Sequence, residues 1–193
     1  MYETVKGRLL HDGRTCLTCC LQKQLGGHTA IYFLEKAKIQ DSENPKVLIH
    51  GATGSVGTSA IQIANYYNAQ VTAVCSEAGH GLVKELGVKD IIFYDKEDFT
   101  KKHAKYDIIF DAVGKTSKKK CRPLLKGNSH YVSVALPNSA AERVGQLKLL
   151  RTLFEAGKYN AVIDKVFPMD NIVEAHRYVD TGRKKGNVVI TLQ

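Results

Sequence analysis

Gly51, Gly54 and Gly57 recur every third residue in VLIHGATGSVG (47–57), directly after the apolar run Val47-Leu48-Ile49. Behind them Val56, Ala60, Ile63, Ala64 and Tyr67 fall on one face of a helical pattern. Strand, glycine turn and helix together form the setting that binds a pyrophosphate. A turn without β-carbons lets the backbone approach the phosphates, and the free N–H groups and positive dipole at the helix start hold the anion. The spacing is GxxGxxG rather than the more usual GxGxxG. It makes Gly51, Thr53, Gly54, Ser55, Val56 and Gly57 candidates for binding a dinucleotide. The competing reading is a tight β–α turn with no ligand.

Other residues with reactive side chains form no comparable pattern. The five cysteines are Cys16, Cys19, Cys20, Cys75 and Cys121. An odd count argues against a disulfide framework. Cys16-Leu17-Thr18-Cys19-Cys20 has the look of a metal knuckle, but a structural zinc needs four ligands, usually as two separated pairs. The expectation is therefore no zinc. The seven histidines contain no HxxxH pair. His50 and His176 read as packing or surface residues. Asp111, at a strand end, reads as a residue that orients a loop. No catalytic residue is assigned.

The elements that would position the glycine turn follow from hydrophobic patterning. Short apolar runs at Val47–Ile49, Val71–Cys75, Ile91–Phe93, Ile108–Phe110 and Tyr131–Val134 read as strands buried on both faces of a parallel sheet. Helical patterns between them make right-handed βαβ crossovers. The expected fold class is α/β, a doubly wound parallel (Rossmann) sheet with helices on both faces. Further helices are expected over His28–Lys38 and Ala140–Ala156, the second ended by Gly157. An extended piece (Val162–Phe167), a helix opened by Asp170 and a last strand (Val188–Leu192) follow. The expected division is an irregular segment over 1–26, a dinucleotide-binding domain over 27–158 and a strand-helix-strand piece over 159–193.

Composition narrows the class. The chain has 193 residues, 44% of them hydrophobic, and a formal net charge of +9. No apolar run approaches the length that spans a bilayer, and Met1-Tyr2-Glu3-Thr4 does not begin a signal peptide. A cytoplasmic location without membrane association is expected. The basic runs Lys118–Lys120 and Arg183–Lys185 lack aromatic neighbours and read as solvated faces rather than nucleic-acid contacts. A basic surface also concentrates an anionic dinucleotide.

Four stretches together carry a family resemblance: Gly27-His28-Thr29-Ala30, VLIHGATGSVG, VTAVCS and YDIIFDAVGKTS. With the closing AHRYVDTGRKKGNVVI they make the chain from about Gly26 onward resemble the medium-chain dehydrogenase/reductase superfamily. Within it the chain looks like the zinc-independent quinone-oxidoreductase and enoyl-reductase branch. The resemblance implies hydride transfer between a nicotinamide cofactor and a small-molecule substrate such as a quinone, an enal or an activated alkene. Family members carry an N-terminal GroES-like barrel that forms the substrate side of the cleft. The 25 or so residues before the match do not look like that barrel. Set against the family, a stretch that relatives use for dimerisation is also shortened after Pro137, which leaves homo-oligomerisation open. The alternative function is a non-catalytic nucleotide-binding or interaction module.

Cofactor choice is read at the end of the second strand, where an acid binds the ribose hydroxyls of NAD and repels the 2′-phosphate of NADP. Ser76 follows Cys75 here, and a hydroxyl can donate to a phosphate. The relatives also place a serine there, followed by a basic residue. This chain has Glu77 and Ala78, with Lys84 the nearest basic candidate. Tyr94 matches a tyrosine that contacts the 2′-phosphate in relatives. NADP is expected, with NAD as the alternative favoured by Glu77. The nicotinamide end is expected over Ala112, Val113 and Gly114, where small residues allow close approach.

Overall fold

The computed structural model describes residues 3–5, 8–11, 14–15, 17–135 and 144–191, with side chains described from residue 26 onward. Its elements are β1 (Glu3–Val5), β2 (Arg8–His11), β3 (Arg14–Thr15), α1 (Leu17–Lys36), β4 (Lys46–His50), α2 (Ser55–Tyr66), β5 (Gln70–Cys75) and α3 (His80–Glu85). They continue with β6 (Asp90–Phe93), β7 (Tyr106–Asp111), α4 (Lys118–Cys121), β8 (Leu125–Ser133), α5 (Val144–Glu155), β9 (Ile163–Pro168), α6 (Ile172–Asp180) and β10 (Asn187–Thr191).

Five strands form one wholly parallel sheet in the order β6-β5-β4-β7-β8. Strand order reverses between β4 and β7, and such a switch point opens a crevice at the carboxyl ends of the strands. The fold is the α/β Rossmann arrangement expected from the alternating runs. Residue alternation along β4 explains the layers. Val47 and Ile49 join the larger core with α1, α2 and Leu150 of α5, while Leu48 faces a smaller one with Val74, Ile109, Cys121 and Leu124. Helices therefore lie on both faces, unequally. Among the described residues, the second face is covered by α4 and short 3-10 turns at Phe99–Lys101 and Arg122–Leu124.

The N-terminal segment differs from expectation. Residues up to 26 show no sequence period, yet β1, β2 and β3 form an antiparallel sheet and α1 begins at Leu17 rather than His28. The helix runs through Gly26 and Gly27, each costing about 1 kcal/mol of helix propensity. Packing accounts for both. A β-carbon at Gly26 would lie 2.8 Å from the Ser55 carbonyl oxygen, and one at Gly27 2.7 Å from the Tyr159 hydroxyl. Gly26 lets α1 press against the start of α2, and Gly27 lets it press against Tyr159 and Leu150. Part of the expected Ala140–Ala156 helix, and Leu192 of the expected last strand, lie outside the described residues.

The C-terminal piece is a separate parallel pair, β9 and β10, bridged by α6. It is stitched to α2 by polar contacts. Gln62 donates to the Asn160 carbonyl (3.0 Å) and accepts from its N–H (2.8 Å). The Tyr159 hydroxyl bonds Ser59 Oγ at 2.8 Å. Tyr159 is fully buried, and burial pushes its hydroxyl pKa up to about 12. Tyr159→Ala should therefore lower unfolding stability by about 3–5 kcal/mol. Urea denaturation measures it, and a loss under about 1 kcal/mol would show that this joint is not part of the core.

Candidate functional site

The turn after β4 is built by three glycines for three reasons. Gly51 has φ +78°, and a β-carbon there would meet the Val113 side chain at 1.9 Å. Gly57 is buried, and a β-carbon there would lie 2.1 Å from the Gly51 carbonyl oxygen, so α2 sits directly on the turn. Gly54 differs. It N-caps α2 with extended backbone and no side-chain cap, and a β-carbon there would touch only Gly51 O at 3.6 Å. Its open side faces the crevice. The first helical bond of α2 is Thr58 N–H to Gly54 O (2.9 Å). The amides of Ser55, Val56 and Gly57 precede it and lack partners within the helix.

This turn floors a cleft of about 540 Å³ at the carboxyl ends of the strands. Gly51, Thr53, Gly54, Ser55, Val56, Tyr94, Ala112 and Val113 line it. The sequence candidates that stand apart are Gly57, behind the turn, and Gly114 and Ser76. Gly114 (φ +78°) packs toward Ala135, and Ser76 follows β5 as the N-cap of the Glu77–Gly79 3-10 turn, where its carbonyl accepts from Gly79 N–H (2.9 Å). An adjoining, more apolar pocket of about 460 Å³ is lined by Gly26, Thr29, Val134 and Val188, and it shares Ser55, Val56, Val179 and Lys184 with the first. Another open depression of about 430 Å³ lies at the opposite, amino ends of the strands, around Lys46, Gln70 and Asp90. It is far from the helix starts that bind anions in this architecture.

Asp111 organises the cleft wall. It is fully buried, and its carboxylate accepts from Val113 N–H (3.2 Å), Gly114 N–H (2.9 Å) and Thr116 N–H (3.0 Å). His50 Nδ1 lies 3.0 Å from the same carboxylate, with the imidazole stacked on Phe99. Burial alone would raise the carboxyl pKa; the bonds from His50, Thr116 and Val113 overcome it and hold the group well below the usual carboxylate range. Burial and the charge of Asp111 push Tyr131 up to about 12. The aspartate thus fixes the loop bearing Ala112, Val113 and Gly114. His50 belongs to the site as well, since it lines the cleft.

Sequence reasoning also missed Lys184. It lies in the run read as a solvated face, yet it is half-buried and donates to Ser55 Oγ and Gly186 O, both at 2.8 Å. No local pattern reveals a contact spanning 129 residues. Near Ser76 the Lys96 ammonium pairs with Glu77, and the Glu77 N–H donates to both Asp95 oxygens. Among the described residues no group of three His, Cys, Asp or Glu side chains could hold a metal ion. The side chains of the Cys16–Cys20 cluster lie outside the described residues. No described helix is long and apolar enough to cross a membrane.

The profile of a family described as zinc-binding dehydrogenase matches residues 86–150 and 136–190, more than half of the chain. The chain belongs to this family, within the medium-chain dehydrogenase/reductase superfamily. It is 34% identical over 172 residues to 2-methylene-furan-3-one reductase of Solanum lycopersicum, covering 84% of this chain and 44% of the relative. It is 31% identical over 189 residues to the mitochondrial NAD(P)H oxidoreductase RTN4IP1 of Bos taurus, covering 76% and 48%. Among solved structures, the quinone oxidoreductase of Coxiella burnetii superposes with a TM-score of 0.80 at 26% identity, covering 88% of this chain and 59% of that one. The chain spans about half the length of the curated relatives it matches.

The carboxylate of Asp111 makes a pH prediction. Its folded-state pKa is depressed, so its stabilisation is complete above the ordinary aspartate value of about 3.9 and is lost as pH falls through the folded-state value. Asp111→Asn should cost on the order of 1–3 kcal/mol at pH 7. Its urea midpoint should also fall less steeply than wild type between pH 5 and pH 2, taken as about the range where a salt-bridged aspartate is lost. Parallel curves would remove Asp111 from this role.

Proposed function

We propose that this chain is the cofactor-binding part of an NADP(H)-dependent oxidoreductase that reduces a small-molecule quinone, enal or activated alkene. The observation that carries the reading is the open face of Gly54 at the start of α2, in the cleft at the strand-order switch point. A dinucleotide fits there chemically. The turn offers room where a β-carbon would intrude, and the first amides of α2 offer donors to the pyrophosphate. The name of one relative, an NAD(P)H oxidoreductase, supports the same cofactor class, and those of a reductase and a quinone oxidoreductase support the same reaction class.

When bound, the nicotinamide supplies hydride from its C4 carbon. The chain's own residues bind and orient. Gly51, Thr53, Gly54, Ser55, Val56 and Gly57 form the pyrophosphate turn. Ala112, Val113 and Gly114, held by Asp111, flank the nicotinamide half. Val56, Val134, Val179 and Val188 give the adjoining pocket an apolar lining against which a nicotinamide ring can pack. Ser76 and the exposed Tyr94 serve the adenosine 2′-phosphate, with Lys96 offsetting Glu77. Zinc has no part in this reading. A cytosolic location belongs to the same proposal, with a mitochondrial one as its alternative because the cattle relative is named mitochondrial.

A second cofactor choice has a specific observation behind it. Glu77 and Asp95 place two carboxylates at the end of β5, an environment that suits the ribose hydroxyls of NAD. The Lys96–Glu77 pair is exposed, and such pairs contribute only about 0–1 kcal/mol.

Two experiments test the reading. Gly54→Val adds bulk on the open face of the turn, so the fold should survive while NADPH affinity falls at least about tenfold, the cost of one lost charge-assisted hydrogen bond. Unchanged calorimetric affinity would move the pyrophosphate elsewhere. Wild type should bind NADPH more tightly than NADH, and Ser76→Asp should reverse that order through a relative change of roughly 2–4 kcal/mol. Equal or tighter NADH binding by wild type would replace NADP with NAD.

A further inference from the structure

Lys184 carries an electrostatic arrangement that its own protein neighbours leave uncompensated. Its ammonium is half-buried, and both of its bonds go to neutral oxygens, Ser55 Oγ and Gly186 O. None of the ion pairs among the described residues includes it. Asp164, which acts on it through space, already accepts from the Tyr178 hydroxyl and the Lys185 N–H. Burial pushes the Lys184 pKa down, and Asp164 offsets only part of that. The ammonium also sits against the first residue of α2, the helix end whose dipole disfavours a cation. A half-buried cation in that field is costly unless an anion joins it.

The loop that presents Lys184 is fixed in place. The Gly186 N–H donates to Thr53 O (2.7 Å), Ser55 Oγ donates to Gly186 O (2.8 Å), and Gly54 and Gly186 form a parallel bridge. Lys185 Nζ reaches back to the Ala78 carbonyl. Lys184 also lines both the cleft over the glycine turn and the adjoining apolar pocket, so it marks their junction. Its bond to Ser55 sets the ammonium beside the first amides of α2, where the dinucleotide reading puts the pyrophosphate.

We propose that Lys184 is a binding residue for the pyrophosphate of the dinucleotide, the group that NADP and NAD share. This rests on the dinucleotide reading above. It assigns to a loop of the C-terminal piece a direct part in holding the cofactor, blind to the 2′-phosphate.

The test is calorimetric titration of wild type, Lys184→Gln and Lys184→Arg with NADPH, NADH and ADP-ribose, alongside thermal unfolding of each chain. Lys184→Gln should weaken all three ligands by a common factor of about ten or more, as loss of a charged hydrogen bond would. The NADPH to NADH ratio should not change, and Lys184→Arg should recover most of the affinity. Should the glutamine chain unfold, Lys184→Met, which keeps the aliphatic stem, carries the same expectation. Wild-type affinity in the glutamine chain would overturn the proposal. So would a loss confined to NADPH, a loss that spares ADP-ribose, or an arginine chain no better than glutamine. Failure of the dinucleotide reading itself looks different: wild type would bind none of the three.

Discussion

Close approach at Gly57 is the constraint on which the site depends. The helix α2 can start where it does only because no side chain separates it from the Gly51 carbonyl, 2.1 Å from where a β-carbon would stand. That contact seats the positive end of α2 on the switch point between β4 and β7 and directs the open face of Gly54 into the crevice. Gly51 then lets Val113 fold over the turn, which joins the β7 loop to the β4 loop. Asp111 locks that second loop by taking its amides, at the cost of burying a carboxylate, and His50 helps to offset the cost. The cleft is thus made mostly of backbone, held by packing beneath and by one buried carboxylate beside it.

The C-terminal piece completes this construction. It pairs its own strands and adds none to the five-stranded sheet, yet its loop lies against the glycine turn through Gly186 and Lys184. Two further joints, Tyr159 with Ser59 and Asn160 with Gln62, hold the start of that piece further along the same face of α2, one and two turns beyond Ser55. The helix that starts at the glycine turn is therefore gripped at its N-terminus and along its flank by residues 98 to 131 positions away. Geometry at the turn is consequently coupled to the integrity of the whole chain.

Much of this was legible in the sequence, and the reasons are physical. Apolar runs such as Val47–Ile49 and Ile108–Phe110 mark strands buried on both faces, and the glycine triplet marks the turn, because both signals are local. Gly157 ended its helix as expected, with φ +69°. Signals that span the chain were not legible. Gly26 and Gly27 suppress a helical reading of α1, although the helix passes through them because its partners demand close contact. Lys184 looks like any surface lysine until the fold sets it beside Ser55. His50 gave no signal because its partner, Asp111, lies 61 residues away on the neighbouring strand. The Lys96–Glu77 pair at the end of β5 was equally hidden, because it joins loops 19 residues apart that follow neighbouring strands.

The central claim is that a nicotinamide dinucleotide lies on the glycine turn. Backbone amide resonances test this most directly, because each amide reports its own surroundings. Titration of isotope-labelled chain with NADPH should shift the amides of Gly54, Ser55, Val56 and Gly57 most strongly and saturably, with smaller changes at Val113 and Gly114. Residues at the opposite ends of the strands, such as Lys46 and Asp90, should stay unmoved. Saturable shifts centred on those distant residues, or none at the turn, would contradict the account.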